Sequence, residues 1–414
     1  MLTSDPGTVR LRRFGAPSRM FFALVIGLAS GILFYNPRLP GFATALAIAQ
    51  AIGKLWLDAL SMTVVPLIFG LLVTGVMTAA RVGSASRIGW RAMIWFTLLL
   101  TVACLLAAAA TTVLLGWWPV SPMTVSGPDA LWSAVPAATG WLQAIAPMNP
   151  IKAAAETAIV PLVFFAILFG LAAARIESDL GDAILTVVRA VVETMLVLVR
   201  WILVVAPIGI AGLAFAAGAK MGAGAAETLV QYIIVIAAIC LLITLMVYVV
   251  VGLAGGISLL RFARAAAPAQ AVALGTQSSL ASLPVMIQAA PSFDVSPAVA
   301  GIILPLSVSL FRAASAAANV AVAIYLGHVH GIALPWETLL LGAMVAIPVS
   351  LAAVGLPAQV SFFATIGPVC LAMGVPIEAL PLLLAVESVP DLFRTVGNVT
   401  ADLAVVRLAG REMR

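Results

Sequence analysis

Five polar side chains interrupt the last apolar run of the chain: Asp391, Arg394, Thr395, Asn398 and Asp402. Their offsets of 0, 3, 4, 7 and 11 residues keep all five on one face of a helix that turns once in about 3.6 residues. Three of them are charged, and a charge at bilayer depth costs about 2.5–3.5 kcal/mol on insertion scales. Such a stripe needs partners. Asp391 and Arg394 could neutralise each other within the helix, as a structural pair. The other reading is a polar site inside the membrane. A guanidinium there grips a carboxylate through two parallel hydrogen bonds, and a carboxylate three residues away accepts an ammonium. Arg, Asp and an amide on one face suit an acidic amino acid or a related dicarboxylate.

A second anomaly lies in the apolar run before it. Leu304-Pro305-Leu306-Ser307-Val308-Ser309-Leu310-Phe311-Arg312-Ala313-Ala314-Ser315 places Arg312 in mid-run, with Ser307, Ser309 and Ser315 close by. Arg312 is too far from either end of the run to reach the interface, so it requires an anion. Asp402 is the acid without an evident partner, and so the candidate anion for Arg312. Two further stretches, 262–296 and 336–375, are apolar but broken near the middle. The first break reads Gly275-Thr276-Gln277-Ser278-Ser279-Leu280-Ala281-Ser282-Leu283-Pro284, the second Gly355-Leu356-Pro357-Ala358-Gln359. Each half is too short to span but long enough to enter, turn and leave on the same side. Irregular backbone at membrane depth is tolerated only where protein or a water-filled cavity covers it. Two such segments, each next to a full span, point to inverted repeats around a midplane site; proline-kinked ordinary helices are the simpler alternative.

The elements that must position these residues follow from composition. Of 414 residues, 63% are hydrophobic and 9% charged, against roughly 25% charged in soluble domains. The chain is read as an all-α, multi-pass membrane protein. Apolar runs at 20–35, 50–79, 88–119, 156–174, 184–218, 227–260, 297–327 and 376–406 are each treated as crossing about 30 Å of hydrocarbon, which takes about 20 residues. That makes eight spans plus two re-entrant helical hairpins. Arg10–Arg19, then Arg81, Arg87 and Arg91, then Arg175 and Arg189, then Arg261 and Arg264, then Arg407, Arg411 and Arg414 fall on alternate ends of the spans. They are 14 of the 21 Lys and Arg residues, so that side is the cytoplasm and holds both termini. The expected location is a plasma membrane, the inner membrane of a bacterium. The scattered basic residues form no nucleic-acid stripe. Cys104, Cys240 and Cys370 lie singly in apolar runs as core thiols, and His328 and His330 alone make no metal site. No phosphate-binding loop is present, and no cofactor is expected.

These motifs resemble the dicarboxylate/amino acid:cation symporter family, which includes the glutamate and aspartate transporters, and the resemblance covers most of the chain. Asp391-Leu-Phe-Arg394-Thr395-Val-Gly-Asn398-Val399-Thr400-Ala-Asp402 matches the family's Asp-x-x-Arg-Thr-x-x-Asn-Val-Thr-x-Asp. Thr276-Gln277-Ser278-Ser279, closing with Leu283-Pro284, is similar to the serine-rich tip of the first hairpin, and Gly355-Leu356-Pro357 to the tip of the second. Pro147-Met-Asn149-Pro150, Ala206-Pro207-Ile208-Gly209 and Val65-Pro66-Leu67-Ile68-Phe69 resemble scaffold signatures. The resemblance implies a homotrimer of elevator-type transporters. Residues 1–86 and 120–226 would form the static, trimerising scaffold; 87–119 and 227–414, hairpins included, would form the moving transport domain. It implies that Arg394 holds the substrate's side-chain carboxylate and Asp391 its amino group. Asn398 and Ser279, with Ser278, Thr395 and Ser315 nearby, would hold the α-carboxylate. The backbone at Gln277 and Leu356 would complete the amino-group site, and Val360 follows in the second hairpin. Asp391 favours an amino acid over a plain dicarboxylate, because dicarboxylate carriers of the family tend to lack that carboxylate.

The chain departs from the family where cations bind. Phe311-Arg312-Ala313-Ala314-Ser315 replaces the family's Asn-Met-Asp-Gly-Thr, and Phe96, Leu99 and Leu100 stand where oxygen-bearing sodium ligands would be. Ala358-Gln359-Val360 replaces the flexible glycines of the second hairpin. Arg312 beside Asp402 could supply a permanent positive charge where relatives bind a removable one. The expected function is secondary transport of acidic amino acids or dicarboxylates with sodium coupling altered or lost. Conventional sodium- or proton-coupled symport, or an anion-conducting channel drawing on Arg312 and Arg394, are the alternatives. No catalytic dyad or metallohydrolase motif supports an enzyme.

Overall fold

Helices make up all the regular structure among the described residues of the computed structural model, which are 16–34, 41–85, 87–120, 146–222, 224–352 and 358–411. The first half holds α1 (Ala16–Leu33), α2 (Phe42–Ser61), α3 (Val64–Ala85) and α4 (Arg87–Trp117). After them come α5 (Pro150–Ala155), α6 (Ile159–Ala173), α7 (Ser178–Val204) and α8 (Ala206–Met221). The second half holds α9 (Gly224–Ala254), α10 (Leu259–Thr276), α11 (Ser279–Ala289), a 3-10 turn (Ala290–Phe293), α12 (Pro297–Leu310) and α13 (Ala313–Val329). It ends with α14 (Trp336–Ala352), α15 (Ala358–Ala372), α16 (Leu380–Val386) and α17 (Ser388–Gly410).

Among the described residues, four helical stretches are long and apolar enough to cross a membrane: Phe42–Arg81, Arg87–Trp117, Gly224–Ala254 and Pro297–Val329. A fifth results if Ser178–Val204 and Ala206–Lys220, bent by 59° at their junction, count as one span. Other apolar helices are shorter, and α17 is interrupted by its polar stripe. The run at 50–79 is not one helix: α2 ends at Ser61 and α3 starts at Val64. The run at 376–406 likewise divides into α16 and α17.

Lipid-phase helices gain little from the hydrophobic effect and associate through close van der Waals packing, which small residues permit. The pair α1–α8 shows this directly. A Cβ added to Gly31 would stand 2.3 Å from the Phe215 carbonyl oxygen, and one on Gly27 2.5 Å from that of Ala211. Gly218 on α8 returns the contact, 2.5 Å from the Leu28 carbonyl oxygen. Trp56 on α2 lies over Gly209 and donates its indole N–H to the Ile202 carbonyl at 3.0 Å. In the second half, α17 packs against α9, α10, α12 and α13, and α4 packs chiefly against α13. Asn149 in Pro147-Met-Asn149-Pro150 caps α5, accepting from the backbone N–H of Ile151 and Lys152 at 2.9 and 3.1 Å.

The expected break in the first polar stretch is present. Gln277 has φ 52 and ψ 33 and closes α10 by donating its N–H to the Ala273 carbonyl at 2.8 Å. Ser278 then caps α11, its hydroxyl accepting from the Ala281 N–H at 3.2 Å. The two helices pack against each other, and so do α14 and α15. The Gly355-Leu356-Pro357 tip between that second pair lies outside the described residues.

The continuous helix expected through Arg312 is corrected. Its chain breaks there: Phe311 is extended (φ −116, ψ 114), Arg312 has φ −137 and ψ 68, and α13 begins at Ala313. Arg312 is the N-cap of α13: its carbonyl accepts the helix's first backbone bond, from the Ala316 N–H at 2.9 Å, and also accepts from the Ser350 hydroxyl at 3.2 Å. A hydropathy run cannot register such a break, because the residues stay apolar on both sides of it.

A candidate substrate site on the last helix

The polar stripe predicted from the sequence lies on α17. Arg394, Thr395, Asn398 and Asp402 are buried, and Asp391 is half-buried near the helix start. The Arg394 guanidinium is held by a residue the stripe did not include. Its Nη2 stands 2.6 Å from Oε1 of Glu387, with side-chain exposures of 7% and 9%. The Tyr232 hydroxyl, from α9, donates to the other oxygen of Glu387. The close ion pair of Arg394 is therefore with Glu387, and Asp391 acts on it as a further electrostatic neighbour. Its Nε–H lacks a hydrogen-bond acceptor among the described residues, and a buried donor without an acceptor costs about 1–3 kcal/mol. Glu387 lies one helical turn before Asp391, so extending the stripe upstream by four residues would have found it. No spacing in the sequence relates Tyr232 to it.

Further along α17, Asn398 and Ser315 are mutually satisfied. The Asn398 Oδ1 accepts from the Ser315 backbone N–H at 3.1 Å, and its Nδ2 donates to the Ser315 hydroxyl at 2.8 Å. One amide hydrogen of Asn398 is left over from this pair. Thr395 donates its hydroxyl to the Asp391 carbonyl at 2.8 Å. Gln277, at the tip between α10 and α11, donates its side-chain amide to the Ser388 carbonyl at 2.9 Å, which seats that tip on the first turn of α17. Ser278 and Ser279 follow at the half-buried start of α11. Leu356 lies outside the described residues, and so does the side chain of Val360.

Asp402 is fully buried, and neither carboxylate oxygen accepts a hydrogen bond among the described residues. The Arg312 guanidinium lies within electrostatic reach of Asp391, Arg394 and Asp402. Arg312, whose candidate anion is Asp402, is that acid's electrostatic neighbour. The break at Phe311–Arg312 turns that segment out of helical register, and Arg312 serves as the residue before α13. Where the family would place sodium ligands, the ring of Phe96 stacks on that of Phe311 at 4.7 Å and 10°. Leu99, Leu100 and Ala313 beside them are buried and carry no side-chain oxygen. A hard cation needs several oxygen ligands, and these side chains supply none. Asp402 keeps two carboxylate oxygens without a hydrogen-bond partner among the described residues.

The helix thus carries a buried guanidinium paired to a carboxylate, a half-buried acid one turn away and an amide beyond. The family described as the sodium:dicarboxylate symporter family matches residues 17–411. The chain is 25% identical over 412 residues to the proton/glutamate-aspartate symporter of Escherichia coli (strain K12), covering 96% of this chain and 93% of that one. It is 26% identical over 410 residues to the proton/sodium-glutamate symport protein of Geobacillus stearothermophilus, covering 95% and 93%. It is also 26% identical over 407 residues to a C4-dicarboxylate transport protein of Rhizobium etli, covering 94% and 89%.

Proposed function

The chain belongs to the sodium:dicarboxylate symporter family, a family of transporters and not of enzymes, and on that premise we propose that it carries acidic amino acids or C4-dicarboxylates across a membrane. The observation that carries this reading is Arg394: a buried guanidinium held by Glu387, with an Nε–H still lacking an acceptor. A substrate carboxylate takes over the fork of Arg394, and the carboxylate of Asp391 receives an ammonium. Asn398 offers its remaining amide hydrogen to a second carboxylate, with Ser278, Ser279, Thr395 and Ser315 around it. By family position, the backbone at Gln277 and Leu356 completes the amino-group site, and Val360 follows in sequence.

The architecture proposed is eight spans with re-entrant hairpins at 262–296 and 336–375, both termini cytoplasmic, in a bacterial inner membrane. Three copies assemble, and the helices of 87–119 and 227–414 move as a body along a scaffold of 1–86 and 120–226. The close glycine packing of α1 on α8 supports a rigid scaffold, and the packing of α4 on α13 and α17 supports its membership of the moving body. Sodium dependence is weakened: Phe96 and Phe311 fill one cation position, and Arg312 supplies fixed positive charge near Asp402. The orphaned oxygens of Asp402 favour a second reading, in which one coupling cation still binds there.

Uptake of labelled L-aspartate and succinate into liposomes, with sodium and proton gradients imposed independently, tests both. Saturable uptake that ignores sodium supports the first reading. A steep, saturable sodium dependence supports the second. Conductance without saturable uptake would replace both with an anion channel.

A further inference from the structure

Glu387 is an acid to which the site, as a binding site, assigns no contact with substrate. It sits where α16 gives way to α17, buried, ion-paired to Arg394 and hydrogen-bonded by Tyr232. Asp391 faces it from its own helix, and from α9 come Tyr232 and, on the Arg394 side of the cluster, Cys240. Among the described residues, Arg394 is the one cation that acts on it. A substrate carboxylate that takes Arg394 therefore leaves two anions facing one guanidinium. A buried carboxylate stripped of its counter-charge is neutralised most cheaply by a proton.

Resting on the transport reading above, we propose that Glu387 is the proton-carrying group of the transport cycle. Substrate displaces Glu387 from Arg394, and one carboxylate oxygen of Glu387 forms an O–H bond with a proton from the aqueous side. On the other side the substrate leaves, that O–H bond breaks, the proton returns to water, and the Arg394–Glu387 pair re-forms. The pair closes the cycle without a bound ion. Tyr232 can serve both states, since a hydroxyl donates to the ionised acid and accepts from the protonated one. The sign of the linkage follows. The loaded protein holds one proton more than the empty protein, so substrate binds more tightly as the pH falls and less tightly as it rises.

Calorimetric titration of the purified full chain with L-aspartate and with succinate, in buffers of different ionisation heat, counts the protons taken up. The wild-type protein is expected to take up about one proton per substrate, with affinity falling by up to about tenfold per pH unit across that range. Glu387→Gln should bind both probes with no proton uptake and a flat pH profile, and a pH gradient should no longer drive its transport. Glu387→Asp should keep the stoichiometry with a displaced pH midpoint, which preserves the test if the glutamine variant does not fold. Tyr232→Phe should displace the midpoint as well. Binding by the wild type without proton uptake overturns the proposal, as does unchanged uptake by Glu387→Gln or an unmoved midpoint in Glu387→Asp. Failure of the wild type to bind either probe is a different result, and overturns the substrate reading itself.

Discussion

Arg394→Ala separates what the arginine does for the fold from what it does for substrate. The side chain is 7% exposed and its partner Glu387 9%, with 2.6 Å between the charged atoms. Removing one member of a buried ion pair costs about 3–5 kcal/mol, because the other is stranded without a counter-charge. Tyr232 still donates to Glu387, which places the expected loss toward the lower end of that range. Glu387→Gln added to Arg394→Ala removes the stranded charge, so the double variant should recover about 1–3 kcal/mol of the deficit, the coupling expected of residues in contact. Apparent thermal midpoints of purified wild type, both single variants and the double variant in one detergent give the cycle. The deficit of Arg394→Ala should also shrink as the pH is lowered, since Glu387 can then be neutralised. Binding of succinate and L-aspartate should be lost in both variants that lack Arg394. A double variant no more stable than Arg394→Ala would show that Glu387 is not stranded. Substrate binding at wild-type affinity in Arg394→Ala would show that the guanidinium is not the carboxylate ligand.

Three further perturbations test other parts of the structure. Asp391→Asn should weaken L-aspartate binding while sparing succinate, read by competition against a labelled probe; equal losses would make Asp391 a structural residue. Gly31→Val forces a side chain into a space where even a Cβ stands 2.3 Å from the Phe215 carbonyl oxygen, and should lower the thermal midpoint by the equivalent of about 1–3 kcal/mol or more. Arg312→Met should leave Asp402 without its neighbouring guanidinium and reduce substrate affinity at low sodium, with partial recovery as sodium or another monovalent cation is added; affinity unchanged at every sodium concentration would show that Arg312 plays no such role.

The chemistry-bearing helix was legible in the sequence because charge in an apolar run is expensive and its spacing is periodic. Asp391, Arg394, Asn398 and Asp402 do share α17, and Gln277 does break its segment into two packed helices. What the sequence could not deliver was pairing. Arg394 could have met Asp391, a substrate or a distant acid, and the structure gives it Glu387, which continues the stripe one helical turn upstream of Asp391. Tyr232 is 155 residues away from Glu387, a contact that only the packing of α9 on α17 creates. The break at Phe311–Arg312 was hidden for the opposite reason. Side-chain hydropathy carries no information about backbone dihedrals, and the Ser350 hydroxyl, from α14, that bonds the Arg312 carbonyl at the break comes from a segment distant in sequence.

Charge accounting over the buried cluster connects these features. Glu387, Asp391 and Asp402 bring three carboxylates, and Arg394 and Arg312 bring two guanidiniums, all on or beside α17. Fully ionised, the cluster is one positive charge short, and in a low-dielectric setting that imbalance is costly. A monoanionic or dianionic substrate deepens it, so loading must bring in positive charge. Sodium would do this at an oxygen-rich cage, which the stacked rings of Phe96 and Phe311 do not supply. A proton needs no cage, only an acid that loses its counter-charge when substrate arrives. Glu387 meets that requirement by its place on Arg394. Asp402, far enough along the helix to keep Arg312 as its neighbour when Arg394 changes partner, does not. The same count gives the arginine at position 312 a role in an apolar run: without it the cluster would be two charges short.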